Sequence, residues 1–142
     1  MPMRRPFQLI AALALAACAA PFSGGAAAVT EASLVGKTWV SVDGAGLDEK
    51  QRPRLEFQRE GRVSGFTGCN SLGGNWKITN GVVEMGPLAV TKRFCVGEGG
   101  ELEKRFLEAV NDHGRIEMVN GRLVATGERG ARMEFTQADP MT

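Results

Sequence analysis

The sequence predicts an α+β fold, mostly an antiparallel β meander that closes into a small barrel-like sheet, with one packed amphipathic helix. Three observations predict it: short apolar alternations separated by Gly, Asn and Asp from Leu34 onward, two Asn-Gly pairs between such alternations, and one stretch of helical apolar spacing. Short strands with many edges are paired most economically when the sheet closes on itself. The 142 residues fit a single domain of this kind.

The candidate strands have apolar residues at every second position, as in the Leu-Glu-Phe run that ends at Phe57. The pairs Asn80-Gly81 and Asn120-Gly121 each separate two such stretches, and an Asn-Gly pair is a strong signal for a two-residue hairpin turn. We therefore predict a meander of about seven antiparallel strands. The candidate stretches are 38–42, 54–58, 62–67, 75–79, 82–85, 115–119, 122–126 and 131–136.

Residues 101–112 have helical rather than strand periodicity, because their apolar residues recur at intervals of three and four. Acidic residues cluster near the start of this stretch, where the helix dipole favours them, and His113-Gly114 follows its end. The apolar stripe is Leu102, Phe106, Ala109 and Val110. The aromatic residues predicted to lie in the core are Trp39, Trp76, Phe57, Phe66, Phe94 and Phe106.

The N-terminus has the layout of an export signal. Arg4 and Arg5 precede an apolar run over residues 7–17, which is too short to span the bilayer core of roughly 30 Å as a helix. The run ends in Leu-Ala-Ala-Cys18, which resembles the bacterial lipobox. That resemblance implies cleavage before Cys18 and lipidation of its thiol. The predicted organisation is a lipoprotein-type signal peptide at 1–17, the lipidated Cys18 with a flexible tether over 18–33, and a folded domain over 34–137.

Two features of this leader have other interpretations. An ordinary secretory signal would be cut later, after the small residues 26–28, and would leave a soluble periplasmic or secreted protein. The Arg4-Arg5 pair also resembles a twin-arginine signal, although Met3 precedes it. Lipoproteins retained in the inner membrane usually carry Asp after the cysteine, so Ala19 favours the outer membrane over the inner membrane.

The charge and the residue counts exclude several function classes. Without the leader, fifteen Lys and Arg face sixteen Asp and Glu, a formal net charge of −1. This balance argues against a nucleic-acid partner. With one His and three Cys in the whole chain, most zinc sites and many catalytic triads cannot be assembled. We therefore predict no catalytic residue, no metal site and no cofactor. Ser71 lies in a Gly-rich run, but Cys69 stands where the nucleophile elbow needs Gly.

Two motifs in the domain resemble the signatures of the META domain, or heat-shock HslJ-like, family. The matching residues are Gly65, Gly68, Cys69, Asn70, Gly74 and Trp76 in the first motif, and Thr91 and Cys95 in the second, which precedes a helix containing Glu103, Phe106 and Leu107. The family often has Tyr where this chain has Trp76. The resemblance implies a bacterial envelope lipoprotein associated with stress response, and no enzymatic activity or defined ligand belongs to the family as a whole.

Cys69 and Cys95 are the two thiols left if Cys18 is lipidated. An even number of cysteines in an exported chain favours a disulfide, and closing a loop of about 26 residues would stabilise the fold by roughly 3–4 kcal/mol. A pair of reduced thiols, or a metal site completed by His113, is the alternative.

The functional hypothesis is a non-enzymatic, monomeric envelope lipoprotein, anchored in the membrane by lipid, that supports envelope integrity or stress tolerance through binding contacts. Its partner is then an unknown envelope protein. Two alternatives remain open. The barrel could carry a small apolar ligand in its interior, or an exposed loop such as residues 43–53 could inhibit a secreted hydrolase.

Overall fold

The computed structural model describes Pro2 and residues 25–138. These residues form a closed barrel of eight antiparallel strands with one extra strand and one main helix, so the predicted α+β barrel is confirmed. The predicted signal peptide, apart from Pro2, and the lipidation site Cys18 lie outside the described residues. Neither helix in the described part is long and apolar enough to cross a membrane.

The strands follow each other around the barrel in chain order, except that β6 lies beside β4 outside the ring. Strand β9 pairs with β1, and β3 pairs with β4, which closes the ring. The strands are β1 (Thr38–Ser41), β2 (Arg54–Gln58), β3 (Arg62–Phe66), β4 (Ser71–Thr79), β5 (Val82–Met85), β6 (Ala89–Val90), β7 (Arg115–Val119), β8 (Arg122–Thr126) and β9 (Arg132–Gln137); the helices are α1 (Glu31–Leu34) and α2 (Glu98–Ala109).

The two Asn-Gly pairs form the hairpin turns that the sequence predicts. Asn80 and Asn120 have φ of 52° and 50°, and each following glycine has φ of 76°. Two successive residues with positive φ give the turn whose twist matches that of the flanking strands. These turns join β4 to β5 and β7 to β8 at one end of the barrel, which we call the bottom end. The loops 42–53, 67–70, 86–114 and 127–131 lie at the opposite end, the top end.

The barrel interior is filled by apolar side chains. Trp39, Leu55, Phe57 and Phe135 are at most 2% exposed. The rings of Phe57 and Trp76 meet edge to face with centroids 5.5 Å apart. An interior so closely filled by its own side chains behaves as a packed core.

Helix α2 covers the top end. Phe106 is fully buried, and its ring meets that of Phe135 in β9 edge to face at 6.2 Å. The helix begins three residues before the predicted start and ends three before the predicted end, at Ala109. Gly97, with φ of 74°, turns the chain into the helix earlier than the apolar stripe indicates.

The prediction of a flexible tether up to residue 33 is wrong for its last part. Ala27 bonds to the Met118 carbonyl, and Val29 bonds to the Gly81 carbonyl and is only 3% exposed. Thr30 then caps α1, which ends with the buried Leu34. The physical reason is that one branched apolar residue, Val29, finds a place at the bottom of the core. The packed domain therefore begins near residue 27 rather than at 34.

Candidate functional site

Three segments meet at the top end, and most of the motif residues lie there. They are the loop 67–70 between β3 and β4, the chain 91–96 after β6, and the start of α2. A disulfide joins Cys69 in the first segment to Cys95 in the second, with their Cα atoms 5.9 Å apart. Of the alternatives open from the sequence, the structure contains the disulfide. Cys69 is 2% exposed, so its half of the bond is shielded from solvent.

The side-chain amide of Asn70 joins the same segments by hydrogen bonds. Its Oδ1 accepts from the Arg93 N–H at 2.7 Å and from the Thr91 hydroxyl at 3.0 Å. Its Nδ2 donates to the Arg93 carbonyl at 2.9 Å and to Oε2 of Glu103 at 3.0 Å. Asn70 is 3% exposed, and these four bonds use the whole capacity of its amide.

Thr67 and Glu103 complete the polar cluster. The Thr67 hydroxyl accepts from the backbone N–H of Asn70 at 2.9 Å and of Cys69 at 3.2 Å, and it donates to the Glu103 carboxylate. Thr67 is fully buried. The Arg93 guanidinium donates to the Cys69 carbonyl at 2.9 Å. We call these residues, with Asn70, Thr91 and the disulfide, the top-end clamp.

Small residues let the helix approach the loop. Gly68 has φ of +104°, and a Cβ there would lie 2.9 Å from the Leu102 Cβ. Cβ atoms on Gly99 and Gly100 would lie 2.8 Å from the Gly68 carbonyl oxygen and 2.5 Å from the Cys95 carbonyl oxygen. Both the backbone conformation and this close approach therefore require glycine.

The predicted motif residues divide into two groups. Gly68, Cys69, Asn70, Thr91 and Cys95 lie in or beside the top-end clamp. Gly65, Gly74 and Trp76 belong to the barrel wall. The Trp76 ring lies in the core, and its N–H donates to the Arg62 carbonyl at 2.7 Å. Sequence reasoning did not select Thr67 and Arg93 as site residues, although both lie inside the motifs. The signal for Thr67 was a small hydroxyl residue between glycines, where a turn needs a local acceptor.

The prediction that Phe94 lies in the core is wrong. Phe94 is 89% exposed and Val96 is 80% exposed, and they are the exposed large apolar residues of the described part. Successive side chains of an extended chain point in opposite directions. Because Cys95 points inward to Cys69, its two neighbours point outward. Phe66, also predicted to lie in the core, is only half-buried. The guanidinium carbon of Arg54 lies over its ring, 5.1 Å from the ring centroid.

A groove of about 760 Å³ lies on the outside of the barrel, beside β4 and β5. His113 and Asp112 line it and pair with each other at 2.8 Å, and Lys77 pairs there with Glu84 at 3.1 Å. The Lys77 and Glu84 charges are thus paired within the barrel wall, between β4 and β5. Within residues 25–138, no group of three or more His, Cys, Asp or Glu side chains is placed to hold a metal ion.

The loop 42–53 contains a short 3-10 turn over Glu49–Gln51. Asp43, at its start, pairs with Arg105 of α2 at 3.0 Å, which ties the loop to the helix. Its half-exposed and exposed residues include none of the large, fully exposed apolar side chains of the described part. The large exposed apolar side chains of the described top end are therefore Phe94 and Val96.

The fold and the clamp define a class: a small closed antiparallel barrel whose signature residues fasten loops at one end. A model of the META domain matches residues 32–140, and the chain belongs to the META domain family. An NMR structure of a protein from Burkholderia xenovorans matches with a TM-score of 0.58 and 20% identity, covering 99% of this chain and all of that one. A second NMR structure matches with a TM-score of 0.64 and 23% identity, covering 80% of this chain and 99% of that one. At these identities the likeness shows the shared fold. The comparison with curated proteins finds no significant match.

Proposed function

We propose that this chain is a non-enzymatic cell-envelope lipoprotein whose META domain supports envelope integrity or stress tolerance through binding contacts. Lipid on Cys18 holds it at a membrane, and the outer membrane is favoured because Ala19 follows the cysteine. A single acyl chain binds a membrane only marginally, and several chains together anchor it stably. In this proposal the META domain is a monomer when it binds its partner.

One observation carries the binding part of the proposal. Phe94 and Val96 are exposed on a segment that the disulfide and Asn70 hold in place. Aromatic residues are enriched at protein–protein interfaces relative to the rest of the surface. The interior of the barrel, by contrast, is filled by the protein's own side chains, so no observation favours the carrier alternative.

Metabolic labelling tests the anchor. Cells that produce the full chain are grown with a radioactive fatty acid, and the protein is captured and analysed on a gel. The wild-type chain is expected to carry label and the Cys18→Ser variant to carry none. A Cys69→Ser/Cys95→Ser variant is the matched control and keeps its label. Label that persists on the Cys18→Ser variant would disprove lipidation at this residue.

Complementation tests the contacts. A strain without the gene is expected to lose survival or gain permeability under heat or envelope-active drugs, and the wild-type gene restores it. A gene with Phe94→Asp is expected to restore little. A gene with Phe66→Leu, which changes a half-buried aromatic residue elsewhere at the top end, serves as control and restores fully. Full rescue by Phe94→Asp would contradict a role for the exposed segment.

A further inference from the structure

The extended chain 89–96 forms an edge of the sheet. Strand β6 pairs with β4 and stands last in the strand order. Beyond Val90 the chain stays extended and keeps bonding on the same side: the Thr91 N–H donates to the Ser71 carbonyl at 3.0 Å, and the Arg93 N–H donates to Asn70 at 2.7 Å. The Asn70 side chain thus takes the place of a neighbouring strand. We call residues 89–96 the edge segment.

The other side of the edge segment is available. Backbone groups of an extended chain alternate in direction, so Lys92 and Phe94 direct their N–H and C=O groups away from β4. The N–H groups of Lys92 and Phe94 donate no hydrogen bond to any other described residue. Residues 91–94 are all exposed. Such a row of open groups is a template for another strand.

Successive side chains of the edge segment also alternate in direction. Arg93 and Cys95 point inward to the Cys69 carbonyl and the Cys69 sulfur. Lys92, Phe94 and Val96 point outward and form one face with a cation followed by two apolar groups. Because the top-end clamp already holds this shape, little further ordering is needed when a partner binds.

We propose that the edge segment is a docking edge that takes an extended segment of another protein as an added strand. The partner strand bonds to the backbone of Lys92 and Phe94, sets an acidic residue opposite Lys92, and packs apolar residues on Phe94 and Val96. This mode draws affinity from main-chain hydrogen bonds and specificity from alternate side chains. The inference deepens the proposed function, on which it rests, by naming the surface and the chemistry of the partner.

Charge complementarity favours a different protein over a second copy of this chain. The backbone groups that point away from β4 belong to alternate residues, 90, 92, 94 and 96. A symmetric antiparallel pair that uses all four is centred on Arg93 and sets Lys92 of each copy opposite Phe94 of the other, so a second copy offers Lys92 no opposite charge. Opposite charges on directly opposed residues stabilise a pair of strands. An acidic residue of a different protein opposite Lys92 adds this attraction.

The position of the edge segment also agrees with a partner away from the anchoring membrane. The N-terminal chain leaves from the bottom end, where Ala27 bonds to Met118. The edge segment lies at the top end, because it follows β6, which pairs with Leu72 and Gly73 at the start of β4. A chain held by its N-terminus therefore presents this edge outward.

A peptide selection tests the proposal. The purified full chain, kept in detergent micelles, selects from a displayed library of short random peptides. Enriched peptides are expected to alternate apolar residues and to carry Asp or Glu at one constant position. With Lys92→Glu as bait, Lys or Arg is expected at that position. Lys104→Glu, on the exposed side of α2, is the matched control and keeps the acidic preference.

Backbone methylation distinguishes strand addition from a contact made by side chains alone. The best peptide is synthesised twice, with N-methyl groups on either alternate set of residues. One set is expected to weaken binding tenfold or more, and the other to leave it unchanged. In NMR spectra of the full chain, the unmodified peptide is expected to shift the amide signals of Lys92 and Phe94 most.

Three results would overturn the docking edge. The first is a selection that gives the same consensus on Lys92→Glu as on the wild type, or no enrichment at all. The second is a stable dimer in sedimentation that Lys92→Glu abolishes or strengthens, which assigns the edge to a second copy. The third is binding to anionic vesicles that Phe94→Asp abolishes while selected peptides do not compete.

The lipid anchor is tested separately, since the Cys18→Ser chain is expected to select the same peptides. If labelling of Cys18 fails while the selection succeeds, the docking edge is supported and lipidation of Cys18 is rejected. If labelling succeeds while the selection fails, lipidation of Cys18 is supported and the docking edge is rejected.

Discussion

The two ends of the barrel are closed by different physical means. At the bottom end, Val29 and Leu34 are apolar, are 3% and 0% exposed, and complete the core. The buried polar residues of the described part, Ser41, Thr67 and Asn70, all belong to the top end. The disulfide lies beside two of them. The bottom end continues the hydrophobic core, and the top end adds to the apolar face of α2 a network of bonds with defined directions.

The difference teaches what the signature residues do. Apolar packing is non-directional and fixes a segment only as well as its shape fits. Hydrogen bonds and a covalent bond set both position and orientation. The top-end clamp uses them on a segment that exposes its apolar side chains to solvent. The motif residues of the top-end clamp therefore hold an exposed segment in a fixed position and orientation.

Loss of the disulfide is expected to weaken the top-end clamp most. The Cys69→Ser/Cys95→Ser variant opens a loop with a sequence separation of 26. On the chain-entropy account, the free energy of unfolding falls by about 3–4 kcal/mol. Urea denaturation of the variant and the wild type, both purified in detergent, measures this fall.

A reductant provides the matched comparison. Added dithiol is expected to lower the unfolding free energy of the wild type to that of the double variant, and to leave the double variant unchanged. Equal stability with and without the dithiol, with the bond shown to be broken, would mean that Asn70 and Thr67 hold the top end without it.

Removal of the Asn70 amide is expected to come next. Asn70→Ala leaves the Arg93 N–H and carbonyl and the Glu103 carboxylate without this partner. Leaving partly buried polar groups unpaired costs about 1–3 kcal/mol in unfolding free energy. Asn75→Ala is the matched control, because Asn75 is exposed on β4. Similar losses in the two variants would contradict the special position of Asn70.

The parts of the fold that the sequence predicts well are those set by local signals. Strand β2 agrees with its predicted bounds, and both Asn-Gly hairpins are right, because turn conformation and side-chain alternation act over a few neighbouring residues. Strand β4 begins four residues before its predicted start. Its first part contains Gly73 and Gly74, which give no alternation to recognise.

Elements decided by tertiary contacts were not predicted. Strand β6 has two residues, too few for any periodicity, and exists because β4 has an open edge there. Helix α1 has four residues, and its neighbour Val29 lies in a run of small residues typical of a tether. Its burial depends on the space that the bottom end offers, which no local pattern contains.

The candidate site shows the same division between residues that local signals predict and residues whose placement depends on tertiary contacts. Cysteine number predicted the pair Cys69 and Cys95, since only two thiols remain after Cys18 is set aside. The exposure of Phe94 was missed because aromatic residues are usually buried, and the prediction followed the residue type alone. The inward direction of Cys95 contained the missing information, because its neighbours must then point outward.

A smaller effect is expected at the bottom end. Val29→Ala removes two methyl groups from a buried position, at a cost of about 1–2 kcal/mol. Ala28→Gly, next to it and exposed, is the control for a change in chain stiffness. Thermal denaturation followed by circular dichroism compares the variants. An unchanged midpoint of thermal unfolding for Val29→Ala would mean that residues 27–33 belong to the flexible tether and do not pack on the domain.

The smallest expected effect sharpens the comparison most. Phe94→Ala deletes a large aromatic side chain, yet at 89% exposure the unfolding free energy is expected to change by no more than about 0.5 kcal/mol. The same substitution at the fully buried Phe106 is the control and is expected to cost about 3–5 kcal/mol. Urea denaturation measures both variants.

A loss of more than about 1 kcal/mol for Phe94→Ala would mean that this ring packs on the domain in solution, which contradicts its placement in the edge segment. With the expected small loss, the stability of the top end and the exposure of Phe94 are separate properties. The top-end clamp then stabilises the fold whether or not Phe94 is present. The stability of the fold therefore does not explain why this exposed position has an aromatic residue. An aromatic side chain that folding does not need, held in a defined position by hydrogen bonds and a disulfide, is the arrangement that the proposed docking edge predicts.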